Sequence, residues 1–165
     1  EKIDTYDEEA IKFIARMSKG GMRDAISLLE KCIDYAPEIT VESVIDALGY
    51  IDYDVLYEIV LALKNKDVGD LIKTIEQTYM AGTEIKFLIK QLISFVLDLC
   101  TYSNLRNFDY ISIPLSLKDK ADFLTDNCSS APKDLLKELI ELDGKLRYET
   151  DPKLLVESSM VVLCN

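Results

Sequence analysis

The sequence contains no histidine and no tryptophan, and only six glycines, four prolines and four cysteines among 165 residues. Each scarcity excludes something. Without histidine, proton transfer near neutral pH would fall to carboxylates, tyrosines or lysines. The carboxylates here mostly recur on helix faces with lysines as partners, which reads as solvated surface. The glycines are too scattered for a phosphate cradle. The one Gly-Lys pair, Gly144-Lys145, has leucine rather than glycine five positions earlier, so no P-loop is present. Cys32, Cys100, Cys128 and Cys164 are widely spaced and form no Cys-x-x-Cys pair, and three sit among apolar neighbours. Buried free thiols in a reducing compartment are expected, not disulfides or a metal site. The longest apolar run, Phe87 to Cys100, is broken by Lys90, Gln91, Ser94 and Asp98 and falls short of the roughly 18–20 residues a membrane span needs. Glu1-Lys2-Ile3-Asp4 carries no signal-peptide features and no initiator methionine, as expected of a piece of a longer polypeptide. No catalytic residue and no metal ligand is assigned.

What is abundant is apolar and acidic. A hydrophobic fraction of 48% beside 30% charged residues can bury a real core, and the formal net charge of −11 sets the general surface against phosphate backbones and anionic lipids. Neither nucleic acid nor membrane is expected as a direct partner.

Apolar residues recur at helical spacing almost throughout, and no stretch alternates long enough for a strand; Tyr110 to Ile113 comes nearest. The fold class is all-α. A first helix follows the acidic Asp7-Glu8-Glu9 and is stopped by Gly20-Gly21. A second runs from Met22 until Pro37. A short third is capped by Thr40 and ends at Gly49. Longer helices then follow: from Asp52 or Tyr53 to Asn65, from Asp67 to Gly82, and from a Thr83 cap to about Tyr102. A loop from Ser103 to Ser116 is expected to cross the top of a helical bundle. Three more helices complete the pattern: Ser116 to about Cys128, one opening at Pro132 and ending near Glu149, and Lys153 to Cys164 behind Asp151-Pro152. The expected division is a small helical unit over residues 1–49 and a helical bundle over 50–165.

Arg23 resists a purely structural reading. It sits in the first turn of the second helix, where its charge opposes the positive end of the helix dipole at a cost of roughly 0.3–1 kcal/mol. Glycines beside it let a ligand approach the backbone, and an arginine fork at a helix start suits a phosphate oxygen. On position alone, pairing of Arg23 with Asp24 or with a neighbouring helix is the better explanation.

Gly20-Gly21-Met22-Arg23-Asp24-Ala25-Ile26-Ser27-Leu28-Leu29-Glu30 closely resembles the sensor 2 motif in the ATPase lid of bacterial clamp-loader subunits, the gamma/tau family of DNA polymerase III. Asp7 to Lys19 resembles the preceding lid helix, and Ile39 to Gly49 the short helix that ends the lid. Leu146-Arg147-Tyr148 and Asp151 to Glu157 are similar to the end of the collar. Tyr50 to Ser130 matches only as a helical pattern.

The resemblance implies a lid over 1–49 and an oligomerising collar over 50–165, with Arg23 sensing ATP and Gly20, Gly21 and Asp24 supporting it. ATP and magnesium would be held by an ATPase domain that this sequence does not contain, so the chain alone is expected to bind neither and to catalyse nothing. Other clamp-loader subunits are the implied partners, and the bacterial cytoplasm the implied location. Two other readings compete. One is a helical-repeat adaptor with no nucleotide link. The other is a DNA-binding helix-turn-helix over residues 8–35, against which the acidic Glu30, Asp34 and Glu38 speak.

Overall fold

Short polar side chains start most of the helices. A computed structural model describes residues 5–18, 21–126 and 131–164. After a two-residue strand β1 (Thr5–Tyr6), Asp7 accepts the Glu9 N–H at 3.0 Å and opens α1 (Glu8–Met17). α2 (Met22–Tyr35) leads to β2 (Glu38–Ile39), which pairs in parallel with β1, Thr5 opposite Glu38 and Tyr6 opposite Ile39. α3 (Val41–Leu48) begins in a capping box. The Thr40 hydroxyl accepts the Ser43 N–H at 3.1 Å, and the Ser43 hydroxyl accepts the Thr40 N–H at 2.9 Å. Gly49 ends it at φ +67°, a left-handed backbone that an L side chain would strain.

The remaining helices form the bundle. Asp52 caps α4 (Tyr53–Asn65) by accepting the Asp54 N–H, and Asp67 caps α5 (Val68–Met80) through the Asp70 N–H. α6 (Ile85–Leu105) is the long central helix; α7 (Lys118–Asp126), α8 (Ala131–Leu146) and α9 (Pro152–Cys164) complete the order, with Asp151 accepting the Leu154 N–H at the start of α9. α6 packs against α8 and α7, α4 against α5, and α9 closes against α4, α5, α6 and α8. Among the described residues, no helix is long and apolar enough to cross a membrane.

The all-α expectation holds, and several details differ from the sequence reading. The only ladder among the described residues is β1–β2, and Tyr110 to Ile113 is not a strand. Thr83 does not cap α6: its N–H closes the end of α5 on the Thr78 carbonyl, leaving Glu84 at the cap without a side-chain bond. α6 extends to Leu105 because Thr101 and Asn104 bond back to the Leu97 and Cys100 carbonyls instead of leaving the helix. Ser116 does not cap α7, because it lies inside a 3₁₀ turn (Leu115–Leu117) that follows Pro114 and feeds straight into the helix. α8 stops at Leu146, and the Glu149 carboxylate accepts the N–H groups of Thr150 and Asp151 to make the turn into α9. Cys32, Cys100 and Cys164 are buried free thiols; Cys128 lies outside the described residues.

One core runs through both parts. Phe13, Ile14, Cys32, Ile39 and Val44 under α1–α3 join Ile51 and Tyr53, and through them Leu56, Ile59, Leu92, Phe95 and Val96 of the bundle. Ring contacts carry the continuity. Phe13 stands edge-on to Tyr53 at 6.1 Å, Tyr53 faces Phe95 at 6.0 Å, and Tyr50 faces Phe87 at 6.4 Å. The segment from Arg106 to Leu117 acts as a strap beneath α1. Ile111 and Ile113 are buried, the Tyr53 hydroxyl donates to the Ser112 carbonyl at 3.1 Å, and the Leu115 N–H donates to the Glu9 carboxylate.

Candidate functional site

α2 places Arg23 as its second residue, in the turn whose backbone N–H groups have no acceptor within the helix. Gly21 precedes the helix at φ −80°, ψ 107°, and with no side chain it contributes no cap; its own N–H donates to the Ser18 carbonyl at 2.9 Å. What glycine provides is room. A Cβ at position 21 would lie 2.8 Å from an Asp24 carboxylate oxygen and 3.3 Å from the Ser18 carbonyl. The Asp24 carboxylate therefore folds back over the helix start, where its negative charge complements the dipole.

With Asp24 in that position, Arg23 extends into solvent and, among the described residues, forms no ion pair. Met22 is 76% exposed and Ile26 50% exposed on the same end of α2. The structure thus brings Gly21, Arg23 and Asp24 together at one helix start, beside two uncovered apolar side chains. Gly20 lies outside the described residues. No group of three or more acidic or cysteine side chains that could hold a metal occurs among the described residues.

Sequence reasoning missed a second polar cluster. Arg16, in the last turn of α1, lines a cavity of about 230 Å³ together with Tyr50, Tyr53, Gln91, Ser94, Asp98 and Ser112. Asp98 is no solvated surface acid. Burial pushes its carboxyl up to about 6, against the opposing pull of the Ser112 N–H at 2.8 Å, the Arg16 charge and the Ile113 N–H. Burial likewise raises the Tyr53 phenol, helped by the charge of Asp98. The only trace of this in the sequence is that Asp98 interrupts an apolar run.

A three-helix cap with an exposed arginine at a helix start is thus seated on a helical bundle that shares its core. A family model of the ATPase lid domain of the DNA polymerase III clamp loader subunit matches residues 1–38, and a model of domain III of DNA polymerase III subunits gamma and tau matches residues 39–113. The chain belongs to the gamma/tau family of DNA polymerase III, and comprises its lid and collar.

Among curated relatives, DNA polymerase III subunit tau of Bacillus subtilis is 23% identical over 163 residues, 96% of this chain and 28% of the relative. DNA polymerase III subunit gamma of Buchnera aphidicola is 34% identical over 84 residues, 50% of this chain and 22% of the relative. Protein STICHEL-like 1 of Arabidopsis thaliana is 27% identical over 147 residues, 88% of this chain and 13% of the relative. The chain spans less than a third of the length of each.

Proposed function

We propose that this chain is the part of a clamp-loader motor subunit that reads nucleotide state and passes it to the assembly. Arg23 contacts the terminal phosphates of ATP held by an ATPase domain outside this chain, with Gly20, Gly21 and Asp24 as the supporting residues of the motif and Gly21 and Asp24 shaping the helix start. The lid comprises residues 1–49, because α3 packs on α1 and α2, although the second family match already begins at residue 39. The collar comprises residues 50–165 and joins the chain to other clamp-loader subunits in the bacterial cytoplasm, in support of sliding-clamp loading during DNA replication. The chain itself holds neither ATP nor magnesium and has no catalytic residue of its own.

The observation that carries the reading is Arg23 itself: a cation at the positive end of a helix, exposed, with no ion-pair partner among the described residues. Asp24 neutralises the helix start and leaves the guanidinium to an outside anion. A charge-assisted bond from it to a phosphate oxygen would tie the lid to the bound nucleotide and release it when that phosphate leaves.

The test is Arg23→Ala in the complete subunit. ATP-dependent clamp loading should fall about 10- to 100-fold, the size expected for losing a hydrogen bond to a charged group, while subunit assembly is retained. An unchanged loading rate would return Arg23 to the surface.

A further inference from the structure

The cavity between α1 and α6 holds two opposite charges that do not touch. Arg16 reaches in from the lid. Among the described residues its buried Nε has no protein hydrogen-bond partner. Asp98 faces it from the collar, close enough for the charge of Arg16 to act on the carboxyl but not as an ion pair. Asp98 is anchored on the strap by the Ser112 N–H at 2.8 Å, and Tyr53 fixes the same residue of the strap through its carbonyl. The donor is therefore on the lid and a carboxylate on the collar, and both line the cavity between them.

We infer that Arg16 and Asp98 form a latch across the lid–collar cavity: a tilt of α1 toward α6 closes the gap, joins the guanidinium to the carboxylate and fixes the angle of the lid on the collar. The arrangement described above is the unlatched one. Closure gives the Arg16 Nε–H the acceptor it lacks and keeps the anchoring bonds of Asp98 to the strap, because a carboxylate has lone pairs for both. It also removes the space that separates the two elements. The latch depends on the charge of Asp98. The groups facing Asp98 are Arg16 from α1, Tyr50 and Tyr53 from the joint and α4, the uncharged Gln91 and Ser94 from its own helix, and the amides of Ser112 and Ile113 from the strap. Arg16 is thus the only cation and Asp98 the only carboxylate among the described lining residues, and protonation of Asp98 removes the charge that would hold the pair together. The shared apolar core keeps the two parts together, so the latch acts on the angle between them and not on their separation.

The test uses this chain alone, without nucleotide, so its failure leaves the reading of Arg23 untouched. Nitrogen-15 NMR of the arginine Nε–H groups should show Arg16 protected from solvent exchange at pH 8 and unprotected at pH 5. Protection is measured against free arginine at the same pH, because exchange is base-catalysed, and in Asp98→Asn it should be equally low at both. Rapid exchange at pH 8 would overturn the latch. So would protection that ignores both pH and the Asn substitution, because a water or Gln91 would then be the acceptor. Should the NMR signal be overlapped, an unfolding cycle of Arg16→Gln and Asp98→Asn serves instead. A coupling of about fivefold or more in the unfolding equilibrium at pH 8, absent at pH 5, is expected, and additive effects at pH 8 would sink the proposal.

Discussion

Phe13 of α1 stands edge-on to Tyr53, the first residue of α4, with ring centroids 6.1 Å apart and planes 70° from each other. Through this pair the lid and the collar share one core. Phe13 is fully buried, and Phe13→Ala should destabilise the whole chain by about 3–5 kcal/mol. Urea unfolding followed by circular dichroism should show one transition moving to lower urea. A second, separate transition in the native chain would mean that the lid melts by itself.

Asp98 gives stability a pH slope of defined sign. Its folded carboxyl titrates at about 6 against an ordinary 3.8. Between those values the folded chain holds a proton that the unfolded chain has lost, so this group's contribution falls as pH rises from about 4 through 6. The total loss is at most about 3 kcal/mol. Asp98→Asn should flatten this part of the profile. Urea midpoints at half-unit pH steps check it, and identical slopes in the two proteins would assign the proton elsewhere.

Two glycine substitutions should act in opposite directions. Gly49 ends α3 with a left-handed backbone, so Gly49→Ala should cost about 1–2 kcal/mol even though no atom lies near the new methyl. Gly144 sits inside α8 with open space around it, and Gly144→Ala should stabilise by about 0.5–1 kcal/mol. Paired thermal melts decide both, and a shift of the same sign in the two variants would contradict the helix boundaries.

Thr40→Ala removes one half of the capping box at the start of α3 and should cost about 1 kcal/mol. Thr40→Asn, which keeps an acceptor, should recover most of that in the same melts.

The helices were legible because their signals are local. Aspartates ahead of α1, α4, α5 and α9, the Thr40 box and Gly49 each act within a few residues, so one sequence window contains the whole cause. The errors came where a residue's partner lies in another element or in the preceding turn. Thr83 looked like a cap until its N–H was claimed by α5. The β1–β2 ladder pairs residues more than thirty positions apart and is too short to show alternation. At the candidate site, Gly21, Arg23 and Asp24 were legible as one motif along a helix start. Arg16 and Asp98 were not, because neither neighbourhood in the sequence hints at the other.

The strap also orders events while the chain is being made. The Leu115 N–H holds α1 through Glu9, its partner 106 residues earlier in the sequence, and Ile111 and Ile113 are buried in the same strap. A ribosome delivers the lid helix first and its seat much later. The Glu9 contact therefore cannot form until the stretch through Leu115 has cleared the exit tunnel. The helix that precedes the proposed nucleotide sensor is thus made well before the strap residue that holds it.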